Sequence, residues 1–373
     1  MANSFAIEIL LINMDNRNIL IDSRELLPGK KTGIGRFLEG LVDALAVADC
    51  AEKLIIAVQD SEAVPLKLKR HENNHIQSIP PSFIASERAL SNLTTTAGLL
   101  ISPYPKLPIF GCHCACIHTI HDVLDLTHPA YRKRFKALFD GLRLKKALKK
   151  ADLTWFVSSR SLKETKEYTG FIGRNSRVRH NGIAEMFTPK KEKQEQSIFE
   201  KYQLEPGYVL VIGNGLPHKN LGPILEIAGL LDRVLVFAGV SSENQKYWKL
   251  RYPSARAVWI SHVAEQDLPI IMRAAFCLMQ PSTAEGYGYP PLEAMACGVP
   301  VVVSDIPVFV ETTGGNAIFA DTSDPKSWIE KYTILKDNNV YNRQITKGLK
   351  WVAPLLGRNG WQKHISDINE LIC

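Results

Sequence analysis

No apolar run in this chain is long enough to cross a bilayer. The stretch from Ile7 to Ile12, which includes Glu8, is too short, and neither a basic leader nor a small-residue cleavage site accompanies it. Met14 offers an alternative start, because the first expected strand opens only at Asn18. These absences argue against a spanning helix and a secretory leader, and the expected location is the cytoplasm. Cysteine is scarce: seven residues, an odd number without framework spacing, exclude a disulfide scaffold and suit a reducing compartment. The run Cys112-His113-Cys114-Ala115-Cys116, with His118 and His121 nearby, has the residue types of a metal site. Alternate strand residues project in a line from one face, a poor start for a tetrahedron, so buried thiols are expected and no metal is assigned. Low-complexity tracts are missing, as is a basic stripe with interleaved aromatics, so no nucleic-acid partner is expected.

What is present is an ordinary globular composition, 45% apolar and 22% charged, over 373 residues, enough for two domains. The net charge of +7 permits attraction to phosphorylated ligands without requiring it. Strand-length apolar runs alternate with amphipathic helix-length stretches, the pattern of parallel α/β layering. Strands are expected at Asn18–Asp22, Lys53–Val58, Gly98–Ser102, Ala115–Ile120, Asp152–Val157 and Arg177–His180. A polar segment, Thr188–Pro206, reads as a linker, after which the pattern restarts with strands near 208–212, 233–238, 257–260, 275–279, 299–303 and 317–319. The division is therefore 1–187, 188–355 and a terminal helix within 356–373, on which Trp361, Ile365, Ile368 and Ile372 share a face. Two doubly wound halves flanking a cleft are the expected architecture.

The chemistry concentrates in Pro281-Ser-Thr-Ala-Glu285-Gly286-Tyr287-Gly288-Tyr-Pro-Pro-Leu-Glu293. A Gly-rich turn opens a helix whose first turn carries two prolines, where a missing N–H costs nothing. Free amides and the helix dipole make such a start an anion site, and carboxylates beside it suit hydroxyls rather than phosphate. Diphosphate next to hydroxyls implies a sugar nucleotide. Gly213-Asn214-Gly215-Leu-Pro217-His218-Lys219 lies at another strand–helix junction, where Lys219 can meet a diphosphate as a point charge or stand as a solvated turn lysine. It lacks P-loop spacing. Gly33, Gly35 and Arg36 open the first helix without Gly-x-Gly-x-x-Gly spacing, so a nicotinamide cofactor is not favoured; an ordinary turn gives the same pattern. His121 closes a strand, where it can hydrogen-bond a sugar hydroxyl, supply charge near a leaving group, or simply form a turn with Asp122. The densely basic segment 131–150, with Phe135, Leu138, Phe139, Leu142 and Ala147 between its charges, reads as an amphipathic helix, either solvated or docked on anionic lipid.

In this order the motifs resemble the retaining family 4 (group 1) glycosyltransferases and their Glu-x7-Glu signature. The matches are Thr32-Gly33-Ile34-Gly35-Arg36, Ile120-His121-Asp122, Val157-Ser158, Asn181-Gly182-Ile183, Pro217-His218-Lys219-Asn220 and the segment from Pro281 to Gly298. They cover residues 18 to 320 and are closest to the mannosyl/rhamnosyl branch. The resemblance implies a GT-B fold with the first domain on the acceptor side and the second binding the nucleotide sugar, a terminal helix returning to the first domain, and transfer of a hexose, mannose from GDP-mannose foremost, with retention. UDP-, ADP- or dTDP-sugars are the alternative donors, and a glycan or lipid-linked oligosaccharide of bacterial surface polysaccharide is the acceptor. It implies that Glu285 contacts the donor sugar and Glu293 the ribose. Lys219, with the amides of Gly286, Tyr287 and Gly288 and with His218, would neutralise the diphosphate. Gly33, Gly35 and Arg36 would line the phosphate from the first domain, and His121 would lie near the transferred sugar. No metal or other cofactor is implied. Many relatives carry an arginine where this chain has Asn214, which leaves one phosphate contact to be replaced. A sugar-nucleotide epimerase and a non-catalytic sugar-nucleotide binder share the same plan; product analysis without acceptor separates the first from a transferase.

Overall fold

A computed structural model describes residues 16–372 except 30, 49, 133, 193 and 194, and the backbone alone of 134. The apolar run at 7–12 and Met14 lie outside the described residues. The chain divides into two compact units, one running to Gly182 and resuming at Gly357, the other Ile183–Leu356. The first boundary falls ahead of residue 187 because Ile183 bridges Leu356 and its N–H donates to the carbonyl of Leu355, closing the second unit on itself.

The first unit holds β1 (Asn18–Asp22), β2 (Lys53–Val58), β3 (Asn74–Ser78), β4 (Leu99–Ser102), β5 (Ala115–Ile120), β6 (Leu153–Phe156) and β7 (Ser176–Val178), all parallel, in the order β3-β2-β1-β4-β5-β6-β7. The second holds β8 (Val209–Ile212), β9 (Leu235–Ala238), β10 (Ala257–Ile260), β11 (Cys277–Gln280), β12 (Val301–Ser304) and β13 (Ile318–Ala320), also parallel, in the order β10-β9-β8-β11-β12-β13. Central strands such as β4, β6, β9 and β12 are buried at every position, as a parallel sheet covered on both faces requires. Strand order reverses between β1 and β4 in one unit and between β8 and β11 in the other. Loops leaving the carboxyl ends of these strand pairs border the crevices where open α/β sheets hold ligands.

The terminal helix, Gln362–Ile372, packs into the first unit's core: Trp361 and Ile368 are buried there, with Ile365 and Ile372 against them. A side chain on Gly182 would start 2.3 Å from the Trp361 indole nitrogen, and one on Gly40 would start 2.5 Å from its ring, so both positions need glycine. Asp367, wholly buried, accepts from Trp155 Nε1 at 2.8 Å and from Arg179 Nε and Nη2 at 2.7 Å each, and pairs with Arg177.

The segment 188–206 is not a free linker. It contains the helix Glu195–Tyr202 and is fastened to the second unit: Arg273 donates to Thr188 and Glu195, and Lys201 and Tyr202 reach Asp267 at 2.6 and 2.9 Å. Glu192, Glu195 and Lys201 within it are ion-pair partners. Of the three cysteines in the Cys112–Cys116 run only Cys116 lies in β5; Cys112 and Cys114 precede it, half-buried, with their sulfurs 3.8 Å apart. The helix Arg134–Lys150 carries two apolar stripes rather than one. Ala137, Leu144, Ala147 and Leu148 are buried, while Phe135, Leu138, Phe139 and Leu142 face solvent.

Candidate functional site

The second unit brings Lys219 and Glu285 together. Lys219 ends a 3₁₀ turn, Pro217–Lys219, in the loop after β8; Glu285 lies in the loop after β11, the adjacent strand across the reversal. The Thr283 N–H donates to the His218 carbonyl at 2.8 Å and binds the two loops to each other. Asn220, in the left-handed region at φ 48°, spans both sides by donating its amide to the carbonyls of Pro281 and Thr322. Lys219 Nζ then stands 2.6 Å from Glu285 Oε1, with both side chains largely buried. Ser282 Oγ donates to the same carboxylate oxygen at 2.7 Å, and Gln280 Nε2 donates to Ser282 Oγ at 3.0 Å. Burial pushes the Glu285 carboxyl up, yet the Lys219 ammonium, the bonds from Lys219 and Ser282, and nearby His218 outweigh it and hold the group below its ordinary value. Glu285 is therefore ionised at neutral pH, an acceptor for hydroxyls.

Gly288 caps the helix Tyr289–Ala296 at φ 83°, and a side chain there would start 2.6 Å from the Phe309 ring, so the turn admits only glycine. Pro290 and Pro291 fall in its first turn, and Glu293 is buried one turn in. Tyr287 is buried with its ring 5.2 Å from Tyr289, so what it can offer a ligand is backbone. Asn214, expected among the donor-binding residues, is exposed in the loop after β8. Its Oδ1 accepts from the Leu216 N–H and its carbonyl accepts from Asn244, fixing the turn that aims the next residues. Gln280 carries no sequence signal, whereas Ser282 and Asn220 belong to the Pro-Ser-x-x-Glu and Pro-His-Lys-Asn runs, which assign them no role of their own.

In the first unit, Gly33 and Gly35 lie inside the first turn of the helix Gly33–Leu45 rather than in a loop, with Arg36 next. Thr32 caps that helix by accepting from the Gly35 N–H at 3.0 Å, and the space a Gly33 side chain would fill is empty. His121 follows β5, hydrogen-bonded to the backbone of Pro103, its ring edge-on to Phe37 at 5.0 Å and its Nε2 shielded without an acceptor. Burial lowers its pKa to about 4, so without a bound anion the ring is neutral at physiological pH. Among the described residues no group of three or more His, Cys, Asp or Glu is arranged to hold a metal.

Residues 192–351 match the family model for glycosyl transferases group 1. Over 321 residues the chain is 30% identical to O-antigen chain mannosyltransferase B of Escherichia coli, a match covering 79% of this chain and 84% of that protein. The chain belongs to the group 1 glycosyltransferases. This glycosyltransferase is also 28% identical over 193 residues to the lipopolysaccharide core biosynthesis mannosyltransferase LpsB of Rhizobium meliloti, across 51% of this chain and 43% of that one. Sucrose-phosphate synthase from Thermosynechococcus elongatus shares its fold with a TM-score of 0.74 at 16% identity, covering 95% and 97% of the two chains. Anabaena HepE in complex with UDP-glucose does so with 0.72 at 17%, covering 95% and 98%. The glycosyltransferase thus has the GT-B fold, two Rossmann-like parallel-sheet units with the terminal helix belonging to the first.

Proposed function

We propose that this glycosyltransferase moves mannose from GDP-mannose, with retention at the anomeric carbon, to a glycan or lipid-linked oligosaccharide in bacterial surface polysaccharide synthesis. The observation that carries the reading is the buried Lys219–Glu285 pair at the strand reversal of the second unit, beside a glycine-capped helix start. The relatives named O-antigen and lipopolysaccharide core mannosyltransferases support the sugar and the process. On this reading the donor diphosphate takes Lys219 and the amides from Gly286 to Gly288, Glu285 accepts from sugar hydroxyls, and Glu293 serves the ribose. Gly33, Gly35 and Arg36 present the first unit's helix start to phosphate, and neutral His121 hydrogen-bonds the sugar.

Transfer breaks the bond from the anomeric carbon to the diphosphate oxygen and forms one to the acceptor oxygen. The acceptor proton passes to the departing phosphate on the same face, so no protein base is needed. Negative charge builds on that phosphate, and each well-placed donor there contributes about 3–4 kcal/mol to the transition state. Because Lys219 and backbone amides supply this charge, chelation is expected to leave the rate unchanged. The enzyme is placed in the cytoplasm, with the helix Arg134–Lys150 resting on the membrane.

Thermal unfolding with a panel of nucleotides tests the donor. A ligand at 100 times its dissociation constant adds about 2.7 kcal/mol, so GDP and GDP-mannose should raise the midpoint clearly, and UDP, ADP and dTDP little. The HepE complex makes UDP the foremost alternative. A shift with UDP and none with GDP would overturn the GDP-mannose assignment.

A further inference from the structure

The first unit has its own strand reversal, between β1 and β4, and a cluster of cations stands there. Arg24 follows β1; Tyr104 and Lys106 follow β4. Arg24 pairs with Asp22 at 2.6 Å and with Glu87 at 3.1 Å, and Arg143 places Nη2 3.0 Å from both oxygens of Glu87. These two carboxylates are thereby engaged by guanidinium groups. Lys106 is the surplus. Its ammonium lies 5.2 Å over the Tyr104 ring, which Arg24 also approaches, and no ion pair among the described residues includes it. The acidic groups bearing on Lys106 are Asp22, already held by Arg24, and Asp140, already paired with Lys136; Glu25 bears on Tyr104. Burial lowers the Lys106 pKa, and the neighbouring Arg143 and Arg24 lower it further. Arg143, itself 93% buried, keeps its Nε without an acceptor. Among the described residues Lys106 thus lacks a carboxylate partner at this edge, and Arg143, whose Nη2 also donates to the Leu107 carbonyl at 3.2 Å, has a shielded Nε–H left over.

Arg143 also connects this cluster to an unusual surface. Its guanidinium carbon lies 5.7 Å from the ring centre of Phe83 and 5.8 Å from that of Phe139. Both rings are about half exposed, and Phe135, Leu138 and Leu142 continue the face along the helix, Phe135 at 90% exposure. All four exposed phenylalanines among the described residues, Phe83, Phe110, Phe135 and Phe139, belong to this part of the first unit. The helix Arg134–Lys150 bears seven basic residues against one acidic residue, Asp140. A second copy of the face would set like charges against each other, whereas an anion is complementary.

We propose that Lys106 and Arg143 bind the phosphate of a lipid-anchored acceptor, whose hydrocarbon chain lies along the Phe83, Phe139 and Leu142 face. This rests on reading the first unit as the acceptor side of the transferase. Phosphate favours charge-assisted donors, and an exposed apolar face favours alkyl carbon, so both halves of one amphiphile are satisfied at adjoining places.

Dodecyl phosphate, kept below its micelle-forming concentration, is the probe, with inorganic phosphate for comparison. Alkyl burial predicts that the chain carrying dodecyl phosphate binds about tenfold or more tighter than inorganic phosphate. Lys106→Ala and Leu142→Asp, both at positions outside the packed core, should each weaken dodecyl phosphate binding about fivefold or more, with thermal unfolding unchanged. Equal affinities for the two probes, or variants that bind like the parent, would overturn the proposal. Binding to phosphatidylglycerol vesicles without binding to monomeric dodecyl phosphate would also overturn it, by making the bilayer surface the ligand. GDP titration runs alongside: absent GDP binding counts against the donor reading, while normal GDP binding with no dodecyl phosphate binding counts against this site alone.

Discussion

Three histidines of the first unit show how single residues set the protein's response to acid. His118, His121 and His364 are held neutral by burial, with pKa values lowered to about 3, 4 and 3. His118 contacts Thr154 Oγ1 at 2.8 Å, and His364 is ringed by Phe37, Trp155 and Trp361 without a hydrogen bond to either nitrogen. Their folded values lie below the unfolded value of about 6.5, so the unfolded chain takes up protons first. Stability is whole above that pH and falls as pH drops toward the folded values. Three such groups give a slope of about 4 kcal/mol per pH unit between about pH 6 and 4. Urea midpoints followed by Trp155 and Trp361 fluorescence should therefore drop steadily from pH 7 to 5. A flat profile would mean that these rings are not held neutral.

At the scale of elements, the segments easiest to read were the buried parallel strands. β1, β2, β5 and β10 have the bounds their apolar runs indicate; β1 and β5 are buried at all but their first residue, while β10 is a half-buried edge strand set by its β-branched and aromatic residues. β3 was missed because Asn-His-Ile-Gln-Ser lies largely exposed at a sheet edge and carries no alternation. The helix Phe83–Leu93 is hard to read from sequence for a different reason: its polarity is inverted. It buries Ser86, Glu87 and Ser91 beside Leu90 and exposes Phe83 and Ile84, since Glu87 is neutralised by Arg24 and Arg143 inside the unit. A pattern rule that buries apolar residues reads such a helix as a loop. The helix Ser242–Arg251 buries only Trp248 and gives little more signal. The terminal helix, by contrast, was legible from its apolar face, but its charged anchor was not. Asp367→Ala removes the acceptor of Trp155 and Arg179 and the partner of Arg177, and breaking a buried ion pair costs about 3–5 kcal/mol. A fall of that size in chemical unfolding of the first unit is expected. A change within about 0.5 kcal/mol, the level of an ordinary surface substitution, would show that the terminal helix is held by its apolar face alone.

For the whole molecule, two parallel sheets each reverse strand order once, and each reversal collects chemistry-bearing side chains. Glu285 and Lys219 were legible because their spacing matches a family pattern; their contact and the Gln280–Ser282 chain behind Glu285 appear only once β8 and β11 are neighbours. The Arg24–Glu87–Arg143 cluster has no such spacing, since its members come from a loop and two helices, and nothing in the linear chain associates them. On the proposed function, the Lys219–Glu285 pair holds the donor. Single-turnover transfer from radiolabelled GDP-mannose to a membrane extract, compared among the parent, Lys219→Ala and Glu285→Ala, tests it most directly. Loss of an electrostatic contact made in the transition state predicts a fall of about 10²–10³ in rate for each variant, with unaltered folding by circular dichroism. Rates close to the parent's in either variant would place the donor elsewhere.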